Sequence, residues 1–356
     1  MKLKEITEYL EFLYPLSLQE EWDNCGLLIG NENANIKKIM TCLDLTNEVL
    51  DEAIKNKVNL IIAHHPIIFT PLYSVLDNNL VEAKVKKLIK HNINFYAAHT
   101  NVDIAPNGLN DWLSEIYKLK NISVLKPTTE AKYYNLNIEV IQKDLYPIID
   151  ILKKFGVGQN NNTINKVNIT PKVKYEENIK QVDKNTDILT IEGKILEEYL
   201  KPLKEELSNF NKKNRKHYEL DYSISSYKHD IGLGRYGTIK HTNLENLLKQ
   251  TKKIFKLDYL EYVGPKDKII KKVAICGGSG ADCIKDAINN NCDVLITGDI
   301  KHHEALDAKE SNLAIINVPH TIEIVFSDVI KDLLLLSFDD LEIISSDINT
   351  EPFEVI

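Results

Sequence analysis

Two adjacent histidines, His64 and His65, close the apolar run Val58–Ala63 and are followed at once by Pro66. Consecutive strand side chains point to opposite faces, so both imidazoles can converge on one centre only where the strand stops. Proline restricts the residue before it and offers no N–H to a ladder, which sets that stop at the histidines. In an open parallel sheet, ligands bind beyond the carboxyl ends of the strands. The pair therefore has two readings: metal ligands at a strand mouth, or strand-capping residues bonded to nearby carbonyls.

Groups of the same chemistry follow other apolar runs. His99 and Asp103 are four apart, and His320 and Glu323 three apart, spacings that keep each pair on one face of a helical turn. Asp299 and the pair His302-His303 follow a further run. Together His64, His65, His99, Asp103, His320 and Glu323 exceed the three or four ligands that one zinc or iron takes. The surplus favours two divalent ions sharing a carboxylate, about 3.5–4 Å apart. Mixed nitrogen and oxygen ligation suits zinc, iron, manganese, cobalt or nickel without choosing among them. His99 has a second possible role, orienting Asp103 or a water at the metal, and His303 is a possible substrate-contacting or ligand-orienting group.

Three other segments carry weaker signals. Glu21–Gly26 sets Trp22 among polar groups, either lining a pocket or anchoring the first helix. Cys276–Gly280 ends a strand before a helix, as an anion-holding helix start or as a tight turn. The glycine run Gly232–Gly237 reads as a loop, and its spacing is not that of a dinucleotide fingerprint.

The elements that must position these residues follow from hydrophobic period. Strands are expected over 38–44, 58–63 and 93–98, with helices over 47–57, 79–91 and 107–118. The alternation returns as strands 270–276, 292–297 and 312–318 with helices 280–290, 302–310 and 321–334. The run Ala53–Ala63 aligns without gaps on Ala287–Thr297, which sets His64-His65 against Gly298-Asp299. Phe95–Thr100 and Ile315–Thr321 each end in His-Thr, with Asp103 and Glu323 following. The fold class is α/β with mostly parallel sheets, built as two pseudo-symmetric halves whose strand ends meet at one cleft. Between them lies a polar, Asn- and Lys-rich α+β module with strands 134–140 and 187–192 and helix 194–208. The expected division is 1–126, 127–231 and 232–356.

The formal charge of -8 comes with no concentrated basic face, which argues against nucleic-acid and membrane-surface roles. Five scattered cysteines without C-x-x-C spacing suit a reduced, cytoplasmic setting. The charged start Met1–Ile6 offers no signal-peptide core, and no stretch approaches the ~20 apolar residues of a membrane span.

The motifs Trp22–Leu27, Ala63–Pro66, His99–Asp103, Gly232–Arg235 and Thr297–Ile300, in this order, resemble the Ngg-interacting-factor or Nif-three-like family. Its bacterial members are named GTP cyclohydrolase 1 type 2 homologues. The resemblance covers nearly the whole chain and implies a dinuclear metal site on His64, His65, Asp103, His320 and Glu323. It also implies a toroidal homohexamer and a PII-like, ferredoxin-like insert. The family pattern Gly-His-x-x-x-Glu is altered here, since Pro319 precedes His320 and Glu323 comes three residues later.

The activity so implied is hydrolytic opening of the GTP imidazole ring, with water activated at the metal attacking C8 and formate released, and with His99 or His303 as candidate proton-transfer groups. Hydrolysis of another substrate such as a phosphoester at the same ions is an alternative, although no arginine cluster accompanies the site. A non-catalytic oligomeric metal-binding or regulatory protein is the third possibility.

Overall fold

A computed structural model describes the chain except for residues 78, 156, 158–167, 173–187, 339 and 355–356. In chain order the elements are α1 (Leu3–Leu13), β1 (Gly26–Ile29), β2 (Lys38–Cys42), α2 (Asn47–Lys55), β3 (Leu60–Ala63), α3 (Leu80–Lys90), β4 (Asn94–Ala97), α4 (Thr100–Ile104), α5 (Leu109–Ile116) and β5 (Lys120–Ile141). Next come α6 (Leu145–Lys154), β6 (Asn168–Lys172), β7 (Ile188–Leu196), α7 (Glu197–Asn214) and β8 (Leu220–Asn243). The chain then runs through α8 (Leu244–Phe255), β9 (Glu261–Val263), β10 (Ile269–Ser279), α9 (Ile284–Asn289), β11 (Val294–Gly298), α10 (His302–Glu310), β12 (Ala314–Asn317), α11 (Val325–Ser337) and β13 (Glu342–Ser345). They divide between two compact units, Met1–Thr128 with Ile231–Ile356, and Thr129–Asp230.

The first unit contains two sheets with one strand logic. In the first, β2, β3 and β4 are parallel in that order, and β1 lies antiparallel against β4. In the second, β10, β11 and β12 are parallel, and β9 lies antiparallel against β12. The outer partner differs: β13 runs parallel to β2, whereas β8 runs antiparallel to β10.

Strand period places the side chains. Ile39, Leu60, Ile62 and Tyr96 enter one large core with residues of the second sheet and of α1, α5, α8 and α11. Their neighbours Met40, Ile61, Ala63, Phe95 and Ala97 enter a separate core against α2 and α3. The second sheet repeats this, with Ala274, Cys276, Leu295 and Ile315 packed on α9 and α10. Both faces of each sheet are covered, which is why β3 and β11 read as continuous apolar runs. Each fully buried Leu or Ile contributes about 1.5–3 kcal/mol of transfer free energy, so register is strongly specified at the strand ends.

The glycine run expected as a loop lies inside β8. A Cβ at Gly232 would stand 2.1 Å from the Lys126 carbonyl, and Gly234 has φ +67°, so glycine here serves close strand approach. Behind it Arg235, 3% exposed, pairs through Nε and Nη2 with both Asp111 carboxylate oxygens at 2.9 Å. It also donates to the carbonyls of Gly232, Gly234 and Ala105. Arg235→Ala leaves a carboxylate and three carbonyls without their donor and is expected to cost about 3–5 kcal/mol in denaturant unfolding. Lysine cannot reproduce the fork, so Arg235→Lys should recover less than half, and a fully stable lysine variant would contradict this role.

Other boundaries shift locally. The strand expected over 270–276 continues to Ser279, and the helix expected at 280–290 is a 3-10 turn, Ala281–Cys283, before the short α9. The helix expected from 321 begins as a 3-10 turn, His320–Ile324. All five cysteines are buried and free. Among the described residues no helix is long and apolar enough to cross a membrane.

In the second unit, β6, β7 and β5 form an antiparallel sheet with register Tyr133 opposite Leu196 and Asn168 opposite Glu192. Residues of β5, β7, α6 and α7 share one core around Ile138, Ile148, Ile191 and Leu203. Helix α7 starts at Glu197 rather than 194 and continues to Asn214. Residue 187, the expected start of its preceding strand, lies outside the described residues.

Candidate metal centre

Strand β3 ends at Ala63, and the next two N–H groups still reach the neighbouring chain, His64 to the Cys42 carbonyl and His65 to that of Leu43. His64 stays in register with Leu60 and Ile62, fully buried, its ring 4.9 Å from Phe326. The His65 ring lies 5.0 Å from it. His99 caps α4, whose single turn brings Asp103 around, and Asp103 is buried.

His320 and Glu323 lie on the 3-10 turn. With 3.0 residues per turn, side chains at i and i+3 eclipse. The three-residue spacing, one short of the family pattern, thereby still brings the two side chains together: His320 Nε2 is 3.1 Å from Glu323 Oε2.

These six residues form three overlapping groups of potential ligands: His64, His65 and His99; His65, His320 and Glu323; His64, Asp103 and Glu323. Glu323 belongs to two of the three, its Oε2 3.2 Å from His65 Nε2 and 3.7 Å from His64 Nε2. His64 Nε2 also lies 3.6 Å from Asp103 Oδ1.

All four rings are held by their other nitrogen. Nδ1 of His64 pairs with the Ala98 carbonyl at 2.8 Å, His65 with Asp44 at 2.7 Å, His99 with Asp23 at 2.9 Å, and His320 with Asp299 at 2.7 Å. An oxygen acceptor at Nδ1 fixes ring orientation and tautomer and leaves Nε2 for a ligand bond. His64 Nε2 and Asp103 Oδ1 are buried without a hydrogen-bond partner, which costs about 1–3 kcal/mol each in the absence of compensation. A cation between them would satisfy both. The donor separations of 3.1–3.7 Å also bracket the edge of about 3.3 Å expected of a tetrahedron with metal–ligand bonds near 2.0–2.1 Å. The donor set fits a divalent metal.

The backing is specific as well. Gly278 has φ +56°, and a Cβ there would stand 2.7 Å from Glu323 Oε1 and 3.2 Å from His320 Nε2. Buried Asn110 donates to the Asp103 carbonyl at 2.9 Å and accepts from the Gly277 N–H at 2.9 Å, tying the Asp103 turn to this segment. Cys276–Gly280 thus supports the carboxylate.

Electrostatics follow from burial and facing charges. Burial pushes the His64 imidazole down to about 3. For His65 the same desolvation is outweighed by Asp44 and Glu323, which raise it to about 10. The hydrogen bond to Glu323 leads in raising His320 to about 9. Burial acts to raise Glu323, but the imidazoles of His64, His320 and His65 hold it below the usual carboxylate range. Burial, and then the Glu323 charge, hold Asp103 well above that range.

Without metal, His65 and His320 therefore carry protons at neutral pH, and ligands must lose them to bind. Metal affinity is expected to rise with pH, up to about tenfold per unit for each displaced proton, until the pH passes about 9 for His320 and about 10 for His65. Calorimetric titration between pH 7 and 9 in buffers of different ionisation enthalpy checks this. A pH-independent affinity without proton release would contradict it.

Sequence reasoning missed Asp23 and Asp44 as orienting groups. The Asp23 side chain is fully buried and accepts from His99, the Thr100 N–H and hydroxyl, and the Cys25 thiol. Burial would raise its carboxyl, but these donors hold it below the usual range. His303 lies elsewhere, exposed at the start of α10 with its ring 5.4 Å from His302, outside the three ligand groups. Asp299 accepts from His320 and has φ +57°.

Beside His65 and His320 opens a cavity of about 680 Å³. Its wall includes Asp44, Glu261, Asp299 and Glu351, with Lys84 the one lysine or arginine among its lining residues. Thr350 donates to Asp44 Oδ2 at 2.7 Å, and Thr321 to Glu351 Oε2 at 2.7 Å, fastening the C-terminal segment along it.

Comparison with known proteins agrees with this architecture. Residues 1–352 match the family model Duf34/NIF3 (NGG1p interacting factor 3). A Staphylococcus aureus protein named GTP cyclohydrolase 1 type 2 homolog is 34% identical over 373 residues, covering 100% of both chains. A crystal structure of a Bacillus cereus protein related to NIF3 superposes with TM-score 0.75 at 29% identity, covering 100% of this chain and 99% of that one. A Staphylococcus aureus structure gives TM-score 0.70 at 31% identity, covering 100% and 99%. The chain belongs to the DUF34/NIF3 family.

Proposed function

We propose that the chain is a hydrolase built around two divalent ions. The observation that carries this reading is Glu323, which belongs to two ligand groups, one with His65 and His320 and one with His64 and Asp103. A shared carboxylate is the hallmark of a paired-ion site. Bound divalent ions would supply Lewis acidity and bring the pKa of water toward ~7.

The protein's own groups do the rest. Asp44, Asp23 and Asp299 orient His65, His99 and His320. His99, with Nδ1 engaged by Asp23 and its ring beside His64 and His65, is the group assigned to move a proton at Nε2 through a water. The relatives' names point to GTP as substrate: addition of water at C8 opens the imidazole ring, and a second water releases formate. Asp44, Glu261, Asp299 and Glu351 face Lys84 and the imidazoles of His65 and His320 across the cavity wall, so a triphosphate there would rely on the bound ions for most of its countercharge.

Metal-loaded protein incubated with GTP and assayed for formate tests the reading, with His65→Ala and Asp103→Ala as controls. Formate release abolished in both variants supports it. Release that survives both substitutions would overturn it.

A further inference from the structure

Not all of the centre's surroundings are polar. Trp22 and Phe69 are 60% and 49% exposed, yet their rings are near parallel, 27° apart in plane with centroids 6.4 Å apart. The His99 ring stands across both, at 75° and 5.7 Å to Trp22 and at 78° and 6.1 Å to Phe69. Three rings thus outline a slot with two aromatic walls and an imidazole floor. The floor ring is 5.2 Å from both His64 and His65 and shares a ligand group with them.

The slot is built rather than incidental. Asn24 donates to the Ile68 carbonyl at 2.6 Å, linking the segments that carry the two walls. Asp23 fixes the plane of the floor through His99 Nδ1. Two ring contacts of about 3.5 Å each need walls about 7 Å apart, more than the 6.4 Å between the ring centroids, so exposed Trp22 must swing away from Phe69 to admit a third ring. Near-parallel walls suit a flat ligand that lies between them.

We propose that Trp22, Phe69 and His99 bind the planar heteroaromatic ring of a small-molecule ligand and hold it against the metal centre. The proposal rests on reading that centre as a substrate site and names the residues that hold the ring there.

The chain has two tryptophans, so full-length protein carrying Trp112→Phe reports on Trp22 alone. Its emission is titrated with guanosine, adenosine, ribose and choline, in metal-loaded and metal-stripped protein. Saturable quenching by both nucleosides, absent with ribose and choline, is the expected result. Phe69→Leu, at an exposed position, should weaken it about tenfold or more with metal content unchanged. Quenching that persists in stripped protein while formate release is absent would separate a failed hydrolase reading from a sound slot. No saturable nucleoside response, a stronger response to choline, a response indifferent to Phe69→Leu, or emission that tracks only protein concentration, as when a second copy covers the slot, would overturn the proposal.

Discussion

Glu323→Gln is expected to weaken metal binding by at least about a hundredfold, more than loss of any orienting partner. The amide is nearly isosteric, so packing against Gly277 and Gly278 survives while the charge facing His64, His65 and His320 is lost. A neutral group cannot serve as the shared anion. Elemental analysis and calorimetry of the variant check this, and a glutamine variant with full metal content would remove Glu323 from its central position. Gly278→Ala should produce a weaker loss of the same kind, because its Cβ would press on Glu323 Oε1 from 2.7 Å at a φ that disfavours alanine.

The second large effect is at Gly108, which caps α5. A Cβ there would stand 1.8 Å from the Val102 carbonyl and 3.0 Å from that of Ala105. Both obstacles are backbone, so relief requires moving α4, which carries Asp103, relative to α5, which carries Asn110. Gly108→Ala is expected to cost about 3 kcal/mol or more, a fall in melting temperature of roughly 6–12 °C at about 2–4 °C per kcal/mol. Metal content should fall with it, since Asp103 rides on the displaced turn. An alanine variant that melts with the parent and keeps its metal would contradict the packing described around Val102.

The sequence exposed the candidate ligands more readily than their supports. His64-His65 stood out because a β-branched run stops against Pro66, and the structure shows the same stop, with His64 still in strand register. The second half was legible through its repeat: β10, β11 and β12 repeat the parallel order of β2, β3 and β4, so their ends deliver His320 and Glu323 as β4 delivers His99 and Asp103. Asp23 and Asp44 left no periodic trace, since they reach imidazoles 76 and 21 residues away from irregular segments. A signal existed for Asp44. It follows β2 directly, and the parallel register Cys42 opposite Ala63 sets it beside His65.

His303 shows the converse. Its place at a helix start near Asp299 suggested a role, but position along the chain did not say that the helix would present it to solvent. The glycine run of β8 misled for a related reason. Glycines usually punctuate loops, whereas here they admit close backbone neighbours and the Arg235 fork.

Metal stoichiometry tests the central claim most directly. Full-length protein, stripped by chelator and reloaded with zinc, manganese or iron in turn, is analysed for bound metal per chain beside Glu323→Gln. The shared carboxylate and the two ligand groups predict close to two ions per chain in the parent for at least one metal and almost none in the variant. A parent that retains no metal after reloading, or a variant that retains as much as the parent, would contradict the account.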